Sequence, residues 1–170
     1  MPGDHALIDE TLAVLDDLIA FPTVALTPNL DLIGYVEDQL GPLCSDLVLT
    51  YDETRTRANL FATIGPDIDG GVVLSGHSDV VPVDPTDWAT PPFAADRRHG
   101  RIYGRGAADM KGFVACVLAM VPTYAKLDLA VPIHVASVSY THLRAHETLR
   151  YLVCRLLIEN KEGGGGGGGG

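Results

Sequence analysis

Apolar positions follow two rhythms along the first 136 residues. Leu7, Leu12, Leu15, Leu18 and Ile19 recur at helical spacing with acids between them, and Phe21 and Pro22 end the run. This predicts an amphipathic surface helix over 7–20. A second helix is expected over about 30–40, with Leu32, Ile33, Val36 and Leu40 inward, until Gly41 and Pro42 stop it. Residues 47–51 and 59–64 alternate as strands do, and a turn over 66–71 returns the chain to Val72, Val73 and Leu74, an apolar run that reads as a buried strand. Residues 97–100 read as a turn before a short strand at 101–103. A helix over 110–125, apolar nearly all round, is expected to lie buried between a sheet and another layer, with Pro122 kinking or shortening it. Residues 131–136 supply another buried strand. Strands interleaved with helices place the chain in the α/β class.

Polar residues cluster where these elements end. GHSDVVPV (76–83) follows a strand, and GRGAADMKG (104–112) leads into the long helix. In open α/β sheets ligands bind beyond the carboxyl ends of the strands. His77 and Asp79 leave on one face if strand geometry persists, and Asp109 arrives from another element. An imidazole with carboxylates suits zinc or a similar divalent ion. Either carboxylate could instead hold the far nitrogen of His77, and a satisfied polar pair or a cap is the plainer alternative. Between the motifs, the proline-rich stretch 84–92 is expected as an ordered loop anchored by Trp88 and Phe93.

Gly104 and Gly106 raise the question of a phosphate loop. The third glycine of G-x-G-x-x-G would fall at Asp109, an acid that repels a pyrophosphate. The spacing of Gly106 and Lys111 does not fit a P-loop either. His134, inside a strand, reads as a satisfied core histidine, and Cys116 as a space filler in a buried helix.

With a formal net charge of -10 and no basic stripe, nucleic acid and anionic membranes are not expected partners. Cys44, Cys116 and Cys154 have no pattern that suggests a disulfide framework or a cysteine metal site. No signal peptide or membrane span is legible, so the expected compartment is the cytoplasm.

Taken together, GHSDVVPV, Trp88, Pro92 and Phe93, GRIYGRGAADMKGF (100–113) and the stretch 57–65 resemble the metal-dependent amidohydrolases of the M20 peptidase family. Residues 112–122 and 132–136 are similar above all to the members that deacetylate acetylornithine. The resemblance implies a partial zinc-peptidase-like catalytic domain with a mixed central sheet flanked by helices, belonging to a longer, homodimeric enzyme. It implies two ions, Zn2+ or Co2+, per intact site, sharing a water, with His77 on one ion and Asp109 bridging both. Asp79 would orient His77, in a catalytic role, and the peptide between Asp109 and Met110 would be cis. The expected reaction is hydrolysis of a small N-acyl amino acid, N-acetylornithine first, with N-succinyl-diaminopimelate or a dipeptide as alternatives. A non-enzymatic metal-binding module is the alternative of another class.

After Ala136 the sequence changes character. Residues 138–148 match the translation of a transposase-type sequencing adapter, residues 152–157 match the adapter's next part, and residues 163–170 are a glycine run. The expected organisation is therefore 1–137 as the N-terminal part of the catalytic domain and 138–170 as a non-native tail; the bland alternative is a true helix over about 143–160 with a flexible glycine end. In the family, an Asp-Glu-Glu group that supplies the general base and a metal ligand follows this strand. Tyr140, Thr141 and His142 stand in the corresponding region, so the chain is expected to be inactive by itself.

Overall fold

The computed structural model describes residues 4–139. Helices α1 (Asp4–Ala20) and α2 (Leu30–Leu40) are followed by strands β1 (Asp46–Tyr51), β2 (Ala58–Ile64) and β3 (Val72–His77). A hairpin of β4 (Asp96–Arg98) and β5 (Arg101–Tyr103) precedes helix α3 (Gly112–Tyr124) and strand β6 (Ile133–Val138). The main sheet runs in the order β1-β2-β6-β3. Its β3–β6 pair is parallel and the other two pairs are antiparallel, which makes it a mixed sheet. Helix α3 lies within the crossover between the two parallel strands, as a parallel pair requires.

One face of the sheet carries the core. Leu60, Ala62 and Ile64 of β2 and Val135 of β6 meet Leu18 and Ile19 of α1, the inward face of α2, and Val114 and Leu118 of α3. In α2 the buried residues are Leu32, Ile33, Val36 and Leu40, the four expected from helical spacing. Helix α1 is more than a surface helix: Val14, Leu15, Leu18 and Ile19 are all buried, because its second half lies against α3.

Three expectations change. Val72 and Val73 are 52% and 38% exposed, because β3 is the edge of the described sheet and has a neighbour on one side only. Phe113 is exposed, and Cys116 is exposed rather than filling space; α3 packs through Val114, Ala115, Val117, Leu118 and Val121 and leaves its other side uncovered among the described residues. The turn expected over 97–100 is a full hairpin, with Asp96 opposite Tyr103. Pro122 sits in the last turn of α3, which ends at Tyr124.

Strand β6 runs through Val138, which pairs with His77, and the Ser139 N–H donates to Asn59 Oδ1 at 2.9 Å. A sheet ladder is built from backbone groups and asks only for extended geometry, so it passes the expected boundary at 137 without interruption. The remainder of the adapter-like stretch, with Tyr140, Thr141, His142, Cys154 and the glycine run, lies outside the described residues. Among the described residues no helix is long and apolar enough to cross a membrane.

Candidate functional site

Strand β3 delivers His77 to the carboxyl end of the sheet. The approach is close, for a Cβ on Gly76 would stand 2.8 Å from Val114 Cγ2, so only glycine lets the start of α3 lie over the strand end. Beyond His77 the chain stays extended by pairing with a second segment. The Val80 N–H donates to the Thr23 carbonyl at 2.9 Å, the Ala25 N–H donates to the Val80 carbonyl at 2.8 Å, and Thr23 Oγ1 donates to the Ser78 carbonyl at 2.6 Å.

The second motif turns at Gly106, whose φ of +84° is a left-handed conformation suited to glycine. A wide turn, Ala107–Lys111, follows and closes with the Lys111 N–H on the Gly106 carbonyl at 2.9 Å. The peptide between Asp109 and Met110 is cis, as the family resemblance implies.

These two turns bring His77 and Asp109 together. His77 Nε2 lies 3.0 Å from Asp109 Oδ1, and His77 Nδ1 lies 2.9 Å from the main-chain carbonyl of Asp79. Asp79 is 7% exposed and its carboxylate stands 3.7 Å from Nδ1, on the far side of the ring from Asp109. The residue expected to orient the imidazole through its carboxylate therefore makes its closer contact through its backbone.

Counting donors shows what the pair can hold. A carbonyl only accepts, so Nδ1 carries the proton. Nε2 and Asp109 Oδ1 are then two acceptors 3.0 Å apart, an arrangement favourable only when a cation, a proton or a metal ion, is shared between them. Neutral imidazole nitrogen and ionised carboxylate oxygen are a donor set that zinc accepts, so these residues fit the implied ion. Among the described residues no three His, Cys, Asp or Glu side chains gather as a complete metal site. They supply two donors, with the Asp109 side chain 87% exposed toward solvent.

Two residues of the second motif, Lys111 and Arg105, have structural roles that their place in the motif did not reveal. Lys111 is 1% exposed, and its Nζ donates to the carbonyls of Leu18 at 2.8 Å and Phe21 at 2.7 Å. Burial lowers its pKa to about 8, so at neutral pH it is still a charged donor. A lone lysine between Met110 and Phe113 was the available signal. The Arg105 guanidinium stacks on the Trp88 ring at 5.0 Å and the Arg105 backbone N–H donates to the Pro92 carbonyl at 2.6 Å, which together anchor the loop. His134 has both ring nitrogens occupied, with Thr63 Oγ1 and the Gly70 carbonyl each at 3.0 Å, and so is the satisfied histidine expected.

Residues 73–139 match the family model described as Peptidase family M20/M25/M40. The chain is 40% identical over 132 residues to succinyl-diaminopimelate desuccinylase from Methylobacterium radiotolerans, an alignment that takes in 75% of this chain and 32% of the relative. It thus spans about a third of that protein's length. Among solved structures, human carnosine dipeptidase 1 superposes with a TM-score of 0.76 at 23% identity, over 91% of this chain and 37% of the other. The M20 family metallo-carboxypeptidase Sso-CP2 from Sulfolobus solfataricus gives a TM-score of 0.61 at 28% identity, over 77% and 31% respectively. The fold is the mixed α/β arrangement of these peptidases.

Proposed function

We propose that this chain forms the N-terminal part of a divalent-metal-dependent M20 hydrolase that cleaves the amide bond of a small N-acyl amino acid. The observation that carries the reading is the 3.0 Å approach of His77 Nε2 to Asp109 Oδ1 across two motifs far apart in sequence, with Nδ1 already committed to the Asp79 carbonyl. When bound, a divalent cation supplies Lewis acidity toward an amide carbonyl and lowers the pKa of a water. The chain's own residues prepare the site: Asp79 fixes the ring so that Nε2 faces it, and Asp109 presents an exposed carboxylate beside it. Two ions per complete site, Zn2+ or Co2+, and a homodimeric enzyme belong to the same proposal through the family resemblance.

For the acyl group, the 40% identical desuccinylase favours N-succinyl-diaminopimelate over the N-acetylornithine expected from the sequence. N-acetylornithine is kept as the second substrate because residues 112–122 and 132–136 resemble the acetylornithine branch. The test has two arms. Zn2+ should bind the chain in competition with a chromophoric chelator, and His77→Ala or Asp109→Ala should abolish that binding; binding indifferent to both substitutions would end the metal reading. Residues 1–136 joined to the remaining two thirds of the Methylobacterium enzyme should then hydrolyse N-succinyl-diaminopimelate faster than N-acetylornithine, and the reverse order would reassign the substrate.

A further inference from the structure

The two halves of the site share a third segment. Lys111, two residues beyond Asp109, is joined through its Nζ to the Leu18 and Phe21 carbonyls at the end of α1. Two residues after Phe21, Thr23 takes hold of the other motif: its hydroxyl donates to the Ser78 carbonyl and its own carbonyl accepts from the Val80 N–H, on either side of Asp79. Val24 pairs with Val80 as a parallel bridge. Thr23 is 4% exposed and Lys111 1% exposed, so water cannot readily replace these bonds. The fit at the Lys111 end is close, for a Cβ on Gly106 would stand 2.7 Å from Val80 Cγ1 and 3.1 Å from Lys111 Cδ.

We infer that Thr23 and Lys111 are positioning residues: residues 21–25 form a strap that Lys111 holds at one end and that grips Ser78 and Val80 at the other, fixing His77 against Asp109. The inference rests on the metal-site reading for its purpose, but the strap can be tested without metal. Their side chains donate to main-chain carbonyls, Thr23 to Ser78 and Lys111 to Leu18 and Phe21. Both act through the backbone on which His77 and Asp109 ride. Buried bonds to main-chain carbonyls suit this task, because they set the chain path rather than a side-chain rotamer.

The experiment is nitrogen-15 NMR of the imidazoles in the full 170-residue chain. In the metal-free wild type the His77 Nδ1–H should be slow to exchange, held by the Asp79 carbonyl, and His134 provides an internal reference elsewhere on the sheet. Thr23→Val and Lys111→Met should each lose the protected His77 signal while His134 is unchanged, and Thr23→Ser, which keeps the hydroxyl, should retain it. On adding Zn2+, the His77 Nε2 resonance should shift in the wild type, with affinity about tenfold or more weaker in Thr23→Val and Lys111→Met, the size seen when partners of metal ligands are removed. An unchanged His77 signal in both variants would overturn the strap. So would simultaneous collapse of the His134 signals, which would show a structural role only. A wild-type His77 ring indifferent to Zn2+ would defeat the metal reading instead, and the metal-free spectra would still decide the strap.

Discussion

The side-chain amide of Asn29 pairs with the backbone of Ala58 in both directions: Nδ2 donates to the Ala58 carbonyl at 2.9 Å, and Oδ1 accepts from the Ala58 N–H at 2.9 Å. Asn29 precedes α2 but makes no capping bond to it, because both amide atoms are spent on the start of β2. It is 2% exposed and joins the helix layer to the sheet. Asn29→Ala should therefore leave a buried donor and a buried acceptor unpaired, at a cost of about 2–4 kcal/mol. Urea unfolding would show it as a lower midpoint with little change in slope. Asn29→Asp should be no better tolerated, since a second carboxylate oxygen would then face the Ala58 carbonyl.

Acid should loosen the β1–β2 turn at a point set by Asp52. Burial works against its charge. The Thr54 hydroxyl, the Arg57 backbone and side chain and the Thr56 N–H outweigh it and hold the pKa down to about 2. The folded value lies below the unfolded one, near 3.9, so the contribution is complete above about pH 4 and is lost as pH falls through 2. Asp52→Asn should flatten the dependence of the unfolding midpoint over that window. An unchanged acid limb would show that the turn does not report on folding.

Thiol chemistry distinguishes the two described cysteines. Cys116 is exposed on α3, whereas Cys44 is half-buried and its thiol is pushed up by burial. A maleimide at neutral pH should modify Cys116 well before Cys44, as peptide mapping of a time course would show. Faster labelling of Cys44 would mean that the outer side of α3 is covered in solution.

Ser137 offers a gain in stability. It is 2% exposed, its hydroxyl has no hydrogen-bond partner among the described residues, and it borders a small apolar gap with Leu74, Gly76, Val117 and Val135. Ser137→Val exchanges an unpaired buried hydroxyl for a branched apolar group suited to a strand. We expect about 1 kcal/mol of stabilisation, a rise of several degrees in Tm by calorimetry. A fall in Tm would mean that the gap is too tight for the second methyl.

What the sequence revealed divides along the range of the forces involved. The inward face of α2 was legible because helical periodicity is a local property, and the strand segments were legible for the same reason. The exposure of Val72 and Val73 was not, because whether a strand is an edge depends on which strands pair with it across the chain. The same holds for Cys116, on the uncovered side of a helix that is apolar all round. At the site, the motifs named His77, Asp79 and Asp109, and the structure sets the Asp79 carbonyl and the Asp109 carboxylate against the two ring nitrogens of His77. That Asp79 approaches His77 more closely through its carbonyl could not be read from residue type, since every residue has one. Thr23 and Lys111 escaped because their partners are carbonyls 55 and 93 residues away, which no spacing rule reaches.

The parallel pairing of β3 with β6 has a bearing on engineering. The chain leaves the sheet at His77, wanders through the proline-rich stretch and the β4–β5 hairpin, and returns to the same end at Gly106. Both departure and return are fastened to the strap. Lengthening a flexible excursion costs only about 0.6 kcal/mol per doubling, and the fastened base does not register its contour. The turn at residues 99–100 of the β4–β5 hairpin, clear of the Arg105 contacts to Trp88 and Pro92, is accordingly the place where this scaffold could accept a transplanted recognition loop while the spacing of His77 and Asp109 stays as it is.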